Sequence, residues 1–500
     1  MNHQDFPLTV PLAKGLLSQG HVDFNEGIFP DIIKDYAKRL YEIPEITQKR
    51  FDSMVSYTGG IIQNLSHSYS LVAFSLDYLN VVETVIASAL LKHNDPHIQI
   101  VWGGPTITQS SDAFSLFLQK GICDGLVVGE GEKPLLDISH EVPLGDVQGV
   151  ISLKNKSNVG FKPGIPLDIN SLPTPDYTDL PLNTYYNIAS VYRSRGCTHR
   201  CQFCAEWRLF GRKFRVRSVE NIVHDIETII DMHHPKYMIF GESLINDSSD
   251  YFEQLCNSMV EKQFKINFGT HFRVNISPRL AQKAVQAGFN DAWVGFEAFS
   301  DTDLKQMNKG TNVNQNIATI KTLTQAGINV IAMLVIGFST LEEEQRNCEN
   351  ILKTIDYFSS VKRMDDSGKL APISIQWRPS PMYIVPGSFD YDQKKLDHTW
   401  PWKCLIKSDK NFQMINALES ELSHIPYEFE RPILDTTVGS LMKKIQERDR
   451  KAGFAIGGIA QHVINHMMNS RRQKRKNKKK YEKIGVIAQR FNRSQLRIEN

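Results

Sequence analysis

The amino-acid sequence predicts an α/β protein: a doubly wound parallel sheet, then a partial (β/α)6 barrel, then a mainly helical C-terminal region. Three observations carry this. Short apolar runs alternate with helical patterns over 70–132 and end on glycine. Six further alternations follow over 188–377. Between the two arrays, five prolines (163, 166, 173, 175 and 181) interrupt the pattern. Alternation of this kind builds parallel sheets, because each parallel pair needs a crossover, whereas a proline-rich stretch runs extended. The implied division is an α/β domain at 1–160, a linker at 161–187, the barrel at 188–380 and a cap with a basic tail at 381–500.

Residues 1–60 are the least regular part, with helical spacing only at Asp31–Leu40. Beyond them come a strand at Ser70–Ser75, a helix at Asn80–Leu91 and a strand at Ile98–Trp102 that ends on Gly103, Gly104 and Pro105. A helix at Asp112–Gln119 and a strand at Gly125–Val128 follow, the latter ending on Gly129, Glu130, Gly131 and Glu132. β-Branched and aromatic content marks the strands, and 3.6-residue spacing marks the helices. Ligands of such sheets lie beyond the strand ends, where glycine lets a backbone come close.

In the second array, strands are predicted at Ile188–Arg193, Tyr237–Phe240, Ile266–Phe272, Ala292–Phe296, Val330–Ile336 and Ile373–Trp377. The helices between them are predicted at Val219–His233, Tyr251–Lys262, Pro278–Ala287, Thr302–Asn308, Asn314–Ala326 and Leu341–Tyr357. Chemistry in such an array belongs at the C-terminal ends of the strands. His271 and Arg273 alternate with Phe272 and so share a face, either the lumen or the helix-facing side.

Residues 380–460 hold prolines and aromatics, with helical spacing at Val438–Arg448, and this region is expected to cap the barrel. The net charge is +3, and the eight basic residues of 471–480 exceed it, leaving −5 for the rest. The basicity is therefore local, which excludes a whole-protein nucleic-acid surface. No apolar run reaches the ~18–20 residues of a membrane span. The N-terminus lacks the pattern of a secretory leader, and seven cysteines is an odd number; cytoplasm is the expectation.

Cys197, Cys201 and Cys204 fall within eight residues after the first barrel strand. A closed structural metal site takes four protein ligands, so three thiolates leave one corner of an iron–sulfur cluster open to a second molecule. Zinc with His199 is the competing reading, although no second Cys-x2-Cys pair occurs. The other four cysteines, Cys123, Cys256, Cys348 and Cys404, read as packing residues. Arg208, Arg212, Lys213, Arg215 and Arg217 form a basic run that is either a solvated face, an anion site or a docking patch for an acidic redox partner.

The C-x3-C-x2-C spacing, with Phe203 before the last cysteine, resembles the signature of the radical S-adenosylmethionine (SAM) enzymes. That resemblance implies a TIM-like partial barrel, a [4Fe–4S] cluster on Cys197, Cys201 and Cys204, and SAM cleaved to a 5′-deoxyadenosyl radical. It further implies SAM contacts from Phe203, Gly241, Glu242, Arg273, Glu297, Ile336 and Gly337. Gly295 to Ser300 and Met307 to Gly310 resemble further segments of that family. The run from Ser75 to Asn80, then Gly103, Gly104 and Pro105, then Gly129 and Glu130, resembles the Rossmann-like cobalamin-binding domain that precedes many such barrels, without its Asp-x-His-x-x-Gly motif. The resemblance thus implies a cobalamin-dependent methyltransferase acting on an unactivated carbon, or a phosphinate phosphorus, of a small molecule or peptide. A flavodoxin- or ferredoxin-type donor would supply electrons. A radical SAM enzyme that oxidises or rearranges without methyl transfer is the alternative, and a metal-stabilised RNA-binding module is the alternative from another class.

Overall fold

The computed structural model describes residues 45–46, 70–76, 81–154, 164–178, 182, 186–211, 213–365, 367–382, 388, 403–404 and 436–455. The helical spacing at 31–40, most of the region 383–435 and the basic run 471–480 lie outside the described residues.

The N-terminal sheet has four strands in simple sequence order: β1 (Leu71–Ser75), β2 (Gln99–Gly103), β3 (Gly125–Val127) and β4 (Val150–Ile151). The first three are parallel and the last is antiparallel. Helices α1 (Val81–Asn94), α2 (Pro105–Gln119) and α3 (Glu132–Ser139) connect and follow the parallel strands. Trp102, Phe114 and Phe117 pack together in the core beneath α1 and α2. No reversal of strand order occurs among the described residues. Helix α2 starts seven residues before the expected position, with Pro105 in its first turn, where a missing N–H costs nothing.

The segment 164–178 then runs along the outside of the second array. Its Tyr177 hydroxyl donates to Ser190 O at 2.7 Å and accepts from Ser190 N at 2.8 Å. Thr174 Oγ1 donates to Asp225 at 2.6 Å. The segment contains a short 3-10 turn at Ile169–Ser171, which the proline pattern did not indicate.

The second sheet has six parallel strands: β5 (Ile188–Val191), β8 (Tyr237–Phe240), β9 (Asn267–Phe272), β10 (Phe289–Glu297), β11 (Asn329–Ile336) and β14 (Ile375–Pro381). They lie in sequence order, and among the described residues β5 and β14 are the edge strands, so the sheet is open. Between β5 and β8 comes a two-residue antiparallel pair, β6 (Ser194–Arg195) with β7 (Arg215–Val216), flanking α4 (Glu206–Phe210). The remaining elements are α5 (Val219–His233), α6 (Ser249–Lys262), α7 (Pro278–Gln286), α8 (Asp301–Gln306), α9 (Val313–Ala326), α10 (Leu341–Ser359) and α11 (Thr436–Lys451), with a hairpin β12 (Lys362–Met364) and β13 (Leu370–Pro372).

Alternation along the strands sorts side chains cleanly. Ala189, Val191, Met238, Phe240, Phe268, Phe272, Ala292, Val294 and Phe296 face the helices in one large core. Ile188, Tyr237, Ile239, Trp293 and Ile331 meet on the opposite, inner face. Strands covered on both faces read as near-continuous apolar runs, which is why their positions were predictable.

Candidate active site

The cysteine loop leaves β6 through Gly196, whose φ of 84° favours glycine. Cys197, Cys201 and Cys204 are free thiols, each part-buried, and Cys204 N donates to Cys201 O at 3.2 Å. Burial pushes the Cys204 thiol up to about 12. Among the described residues no three His, Cys, Asp or Glu side chains are gathered for a single metal ion. Three soft donors without a fourth suit a cluster with one open corner. His199 is driven down to about 4 by burial, with Arg273 and Lys309 adding to it, and so is neutral at neutral pH.

The turn after α8 grips this loop from the side. Gln202 N donates to Met307 O at 3.1 Å, and Asn308 Nδ2 donates to Arg200 O at 2.8 Å. Phe203 packs against the buried cluster Ala298, Leu304 and Met307, on which Val335 and Phe338 also pack. It therefore joins the loop to the segment that follows β10.

Beyond β9, Arg273 continues the parity of Gly269 and His271, and His271 stacks near Trp293 on the inner face. This settles the face left open by the sequence. The Arg273 backbone is fixed by Asn246 through a reciprocal pair at 2.8 and 2.9 Å, and its guanidinium donates to Lys309 O. Its charge is felt at both Cys197 and His199.

At the end of β10, Glu297 is buried and accepts from Lys309 Nζ at 2.7 Å. Gly295 leaves room for this pair: a Cβ there would stand 2.3 Å from Glu297 Oε1 and 3.0 Å from Lys309 Nζ and would displace their ends. Lys309 lies in the Met307 to Gly310 segment noted in the sequence for its resemblance, which assigned it no role.

Two residues expected to contact SAM, Glu242 and Ile336, turn their side chains toward the helices. Glu242 continues the parity of Met238 and Phe240, on the helix-facing side, and its side chain is 0% exposed. Its Oε2 accepts from Arg193 Nε at 2.8 Å and Ser194 Oγ at 2.9 Å. Arg193, also 0% exposed, donates to Leu244 O at 2.9 Å and to Asp247, and lies 4.9 Å over the Tyr251 ring. Glu242 thus braces the root of the cysteine loop. Ile336 likewise faces the helices, and its carbonyl accepts from Met382 N at 2.8 Å. Gly241 does face inward, where a Cβ would come within 2.9 Å of the Tyr192 ring. Gly337, with φ of 97°, opens a turn held by Glu344, which accepts from Phe338 N at 2.8 Å and Ser339 N at 3.0 Å.

In the N-terminal sheet, Ser75, Gly103 and Gly129 do come together at the parallel strand ends. Thr108 ties two of these ends, accepting from Gly129 N at 3.0 Å and donating to Gly104 O at 3.1 Å. Gly104 (φ 94°) is packed on the chain, its Cβ position 2.5 Å from Leu76 O, and Pro105 opens α2. Gly129 (φ 93°) has nothing within 4 Å of its Cβ position, so the space beside it past the end of β3 is open. Asn80 lies outside the described residues. Glu130, also expected there, has its carboxylate paired with Arg195 and Arg215.

The basic run divides. Arg215 pairs with Glu130 and Arg217 with Asp225, both inside the protein, while Arg208 and Lys213 remain exposed and Arg212 lies outside the described residues. Among the described residues no helix is long and apolar enough to cross a membrane.

Residues 191–348 match the radical SAM superfamily. An uncharacterized methyltransferase of Pyrococcus horikoshii is 26% identical over 282 residues, 54% of this chain and 61% of that protein. An anaerobic magnesium-protoporphyrin IX monomethyl ester cyclase of Rubrivivax gelatinosus is 27% identical over 243 residues, 44% of this chain and 43% of that protein. The chain thus spans less than two thirds of the length of either relative. In fold it is similar to the cobalamin-dependent SAM radical enzyme OxsB, solved with aqua-cobalamin and SAM bound, at a TM-score of 0.58 and 15% identity, over 87% of this chain and 71% of that one.

Proposed function

We propose that the radical SAM domain at residues 191–348 works with the N-terminal sheet as a cobalamin-dependent methyltransferase. The observation that carries the reading is the trio of free, part-buried thiols, without a fourth among the described residues, on the loop that follows the first strand of a parallel array. Cys197, Cys201 and Cys204 would hold a [4Fe–4S] cluster, and Arg273, inward-facing beside Cys197, would hold the SAM carboxylate. Phe203 and Phe338 would offer an apolar side to its adenine, with the Gly337 turn beside them. A corrinoid would lie in the open space at Gly129, which also supports reading residues 1–160 as the corrinoid-binding module.

Cluster and SAM, when bound, supply the electron and the cleavable sulfonium for hydrogen abstraction, and a corrinoid supplies the methyl carrier. The protein orients these groups and keeps water from them. Glu242 and Arg193 anchor the loop, and the Lys309–Glu297 pair fixes the turn that grips it. The methyl acceptor would be an unactivated carbon, or a phosphinate phosphorus, of a small molecule or peptide. A low-potential donor of the flavodoxin or ferredoxin type would dock at the exposed Arg208 and Lys213.

Anaerobic reconstitution with iron and sulfide, followed by assay of 5′-deoxyadenosine, tests the reading. Absence of a four-iron centre, or a Cys201→Ala variant that cleaves SAM as fast as the parent, would sink it. The cyclase relative favours a second reading, radical chemistry without methyl transfer. Labelled SAM separates the two, because only a methyltransferase puts the label into product.

A further inference from the structure

The N-terminal sheet holds the cysteine loop at both of its ends. Arg195, two residues before Cys197, donates to Glu130 and to Glu132, which lie just past the C-terminal end of β3. Arg215, on the strand paired with Arg195, donates to Glu130 as well, with a second contact at 3.3 Å. On the far side of the loop, α4 begins two residues after Cys204 and is in contact with α2 of the N-terminal sheet.

The ion cluster is built as an internal joint. Arg195 is 8% exposed, Glu130 7%, Glu132 14% and Arg215 15%. Two carboxylates and two guanidinium groups balance in charge. Burying them is costly unless each keeps its partner, so the geometry is held tightly. The planar arginine fork presents separate N–H groups to two carboxylates in a fixed geometry, which the point charge of a lysine does not impose. The carboxylates sit one and three residues beyond Gly129, so whatever occupies the strand ends of that sheet is one ion pair away from the sulfur trio.

We propose that Arg195 is a positioning residue: through Glu130 and Glu132 it registers the cysteine loop against the ligand-facing ends of the N-terminal sheet. The proposal rests on the reading above only in naming the three sulfurs as cluster ligands. Glu130→Gln keeps the side-chain shape and removes the charge that Arg195 and Arg215 share. Glu132→Gln is the milder variant, because Arg195 then keeps Glu130.

The test is alkylation of the metal-free full-length chain with iodoacetamide, read cysteine by cysteine by peptide mass spectrometry. In Glu130→Gln, Cys197, Cys201 and Cys204 should react on the order of tenfold faster, the factor equivalent to about 1.4 kcal/mol of local loosening. Cys123, Cys256 and Cys348, buried in the two cores, should keep their parental rates. After reconstitution the same variant should show a raised cluster midpoint potential, because an unbalanced guanidinium nearby favours electron uptake. Unchanged loop rates, a parallel rise at Cys123, Cys256 and Cys348, or an unshifted potential would overturn the proposal. Failure of the parent protein to take up iron would remove the enzymatic reading instead, and the alkylation comparison would still decide this one.

Discussion

Lys309 and Glu297 form a buried ion pair, Nζ to Oε1 at 2.7 Å, where the Glu297 backbone takes a left-handed φ of 64°. A non-glycine residue in that region is held there by its surroundings. Lys309→Met leaves the carboxylate buried without its cation, a change that costs about 3–5 kcal/mol. Urea denaturation followed by tryptophan fluorescence should show that loss, and the double variant Lys309→Met with Glu297→Gln should recover part of it. No recovery in the double variant would mean that the lysine acts through packing alone.

Gly104 combines a φ of 94° with a Cβ position 2.5 Å from Leu76 O and 2.8 Å from Leu76 N. Alanine there meets backbone that cannot swing aside, on top of the ~1–3 kcal/mol of a strained φ. Gly104→Ala should sharply raise hydrogen exchange in β1 and β2. Gly121→Ala, at φ of 66° with nothing within 4 Å, should cost only the strain. Equal exchange in the two variants would contradict the steric account.

Asp449 on α11 accepts from Trp377 N at 3.4 Å, and burial pushes its carboxyl up from 3.8 to about 6. The folded protein then binds this proton more tightly than the unfolded chain does. Stability therefore falls as pH rises through that window, and the loss is complete above about 6. Asp449→Asn should abolish this fall. The gap in melting temperature between variant and parent should widen from about pH 4 to about pH 6 and then level off. A constant gap across the range would refute the assignment.

Asn308 reaches the cysteine loop through one amide, 2.8 Å from Arg200 O. Asn308→Ala should cost about 1 kcal/mol, the net worth of a hydrogen bond. The effect should concentrate at the loop, read as faster hydrogen exchange at Gln202, whose N–H bonds to Met307 O. Exchange that rises in β10 and leaves Gln202 unchanged would count against a grip on the loop.

The strands were legible because burial on both faces writes them as apolar runs; Tyr237–Phe240 and the helix Val219–His233 match their predicted bounds. Helix α2 was read seven residues short because Pro105 looked like a stop and the backbone at Ser110 departs from helical φ. The hairpin β12–β13 was missed because Lys362, Arg363 and Met364 show no apolar face. Within the site, the burial of the Glu242 side chain beneath the helices could have been read from its parity with Met238 and Phe240. No such signal existed for Glu130 and Arg195, which are 65 residues apart. Charge at a strand end reads as solvated, and only the fold reveals a partner that far along the chain.

The Tyr177 phenol donates to Ser190 O and accepts from Ser190 N, the outward-pointing amide groups in the middle of edge strand β5. An exposed row of such groups is a template on which a foreign chain can extend the array. One aromatic hydroxyl, brought in by the segment preceding the array, occupies the pair of sites where that growth would begin. Tyr177→Phe would leave the ring in place and strand the buried N–H and C=O of Ser190 without that partner, so its signature would be a loss of stability of about 1–3 kcal/mol for each orphaned group.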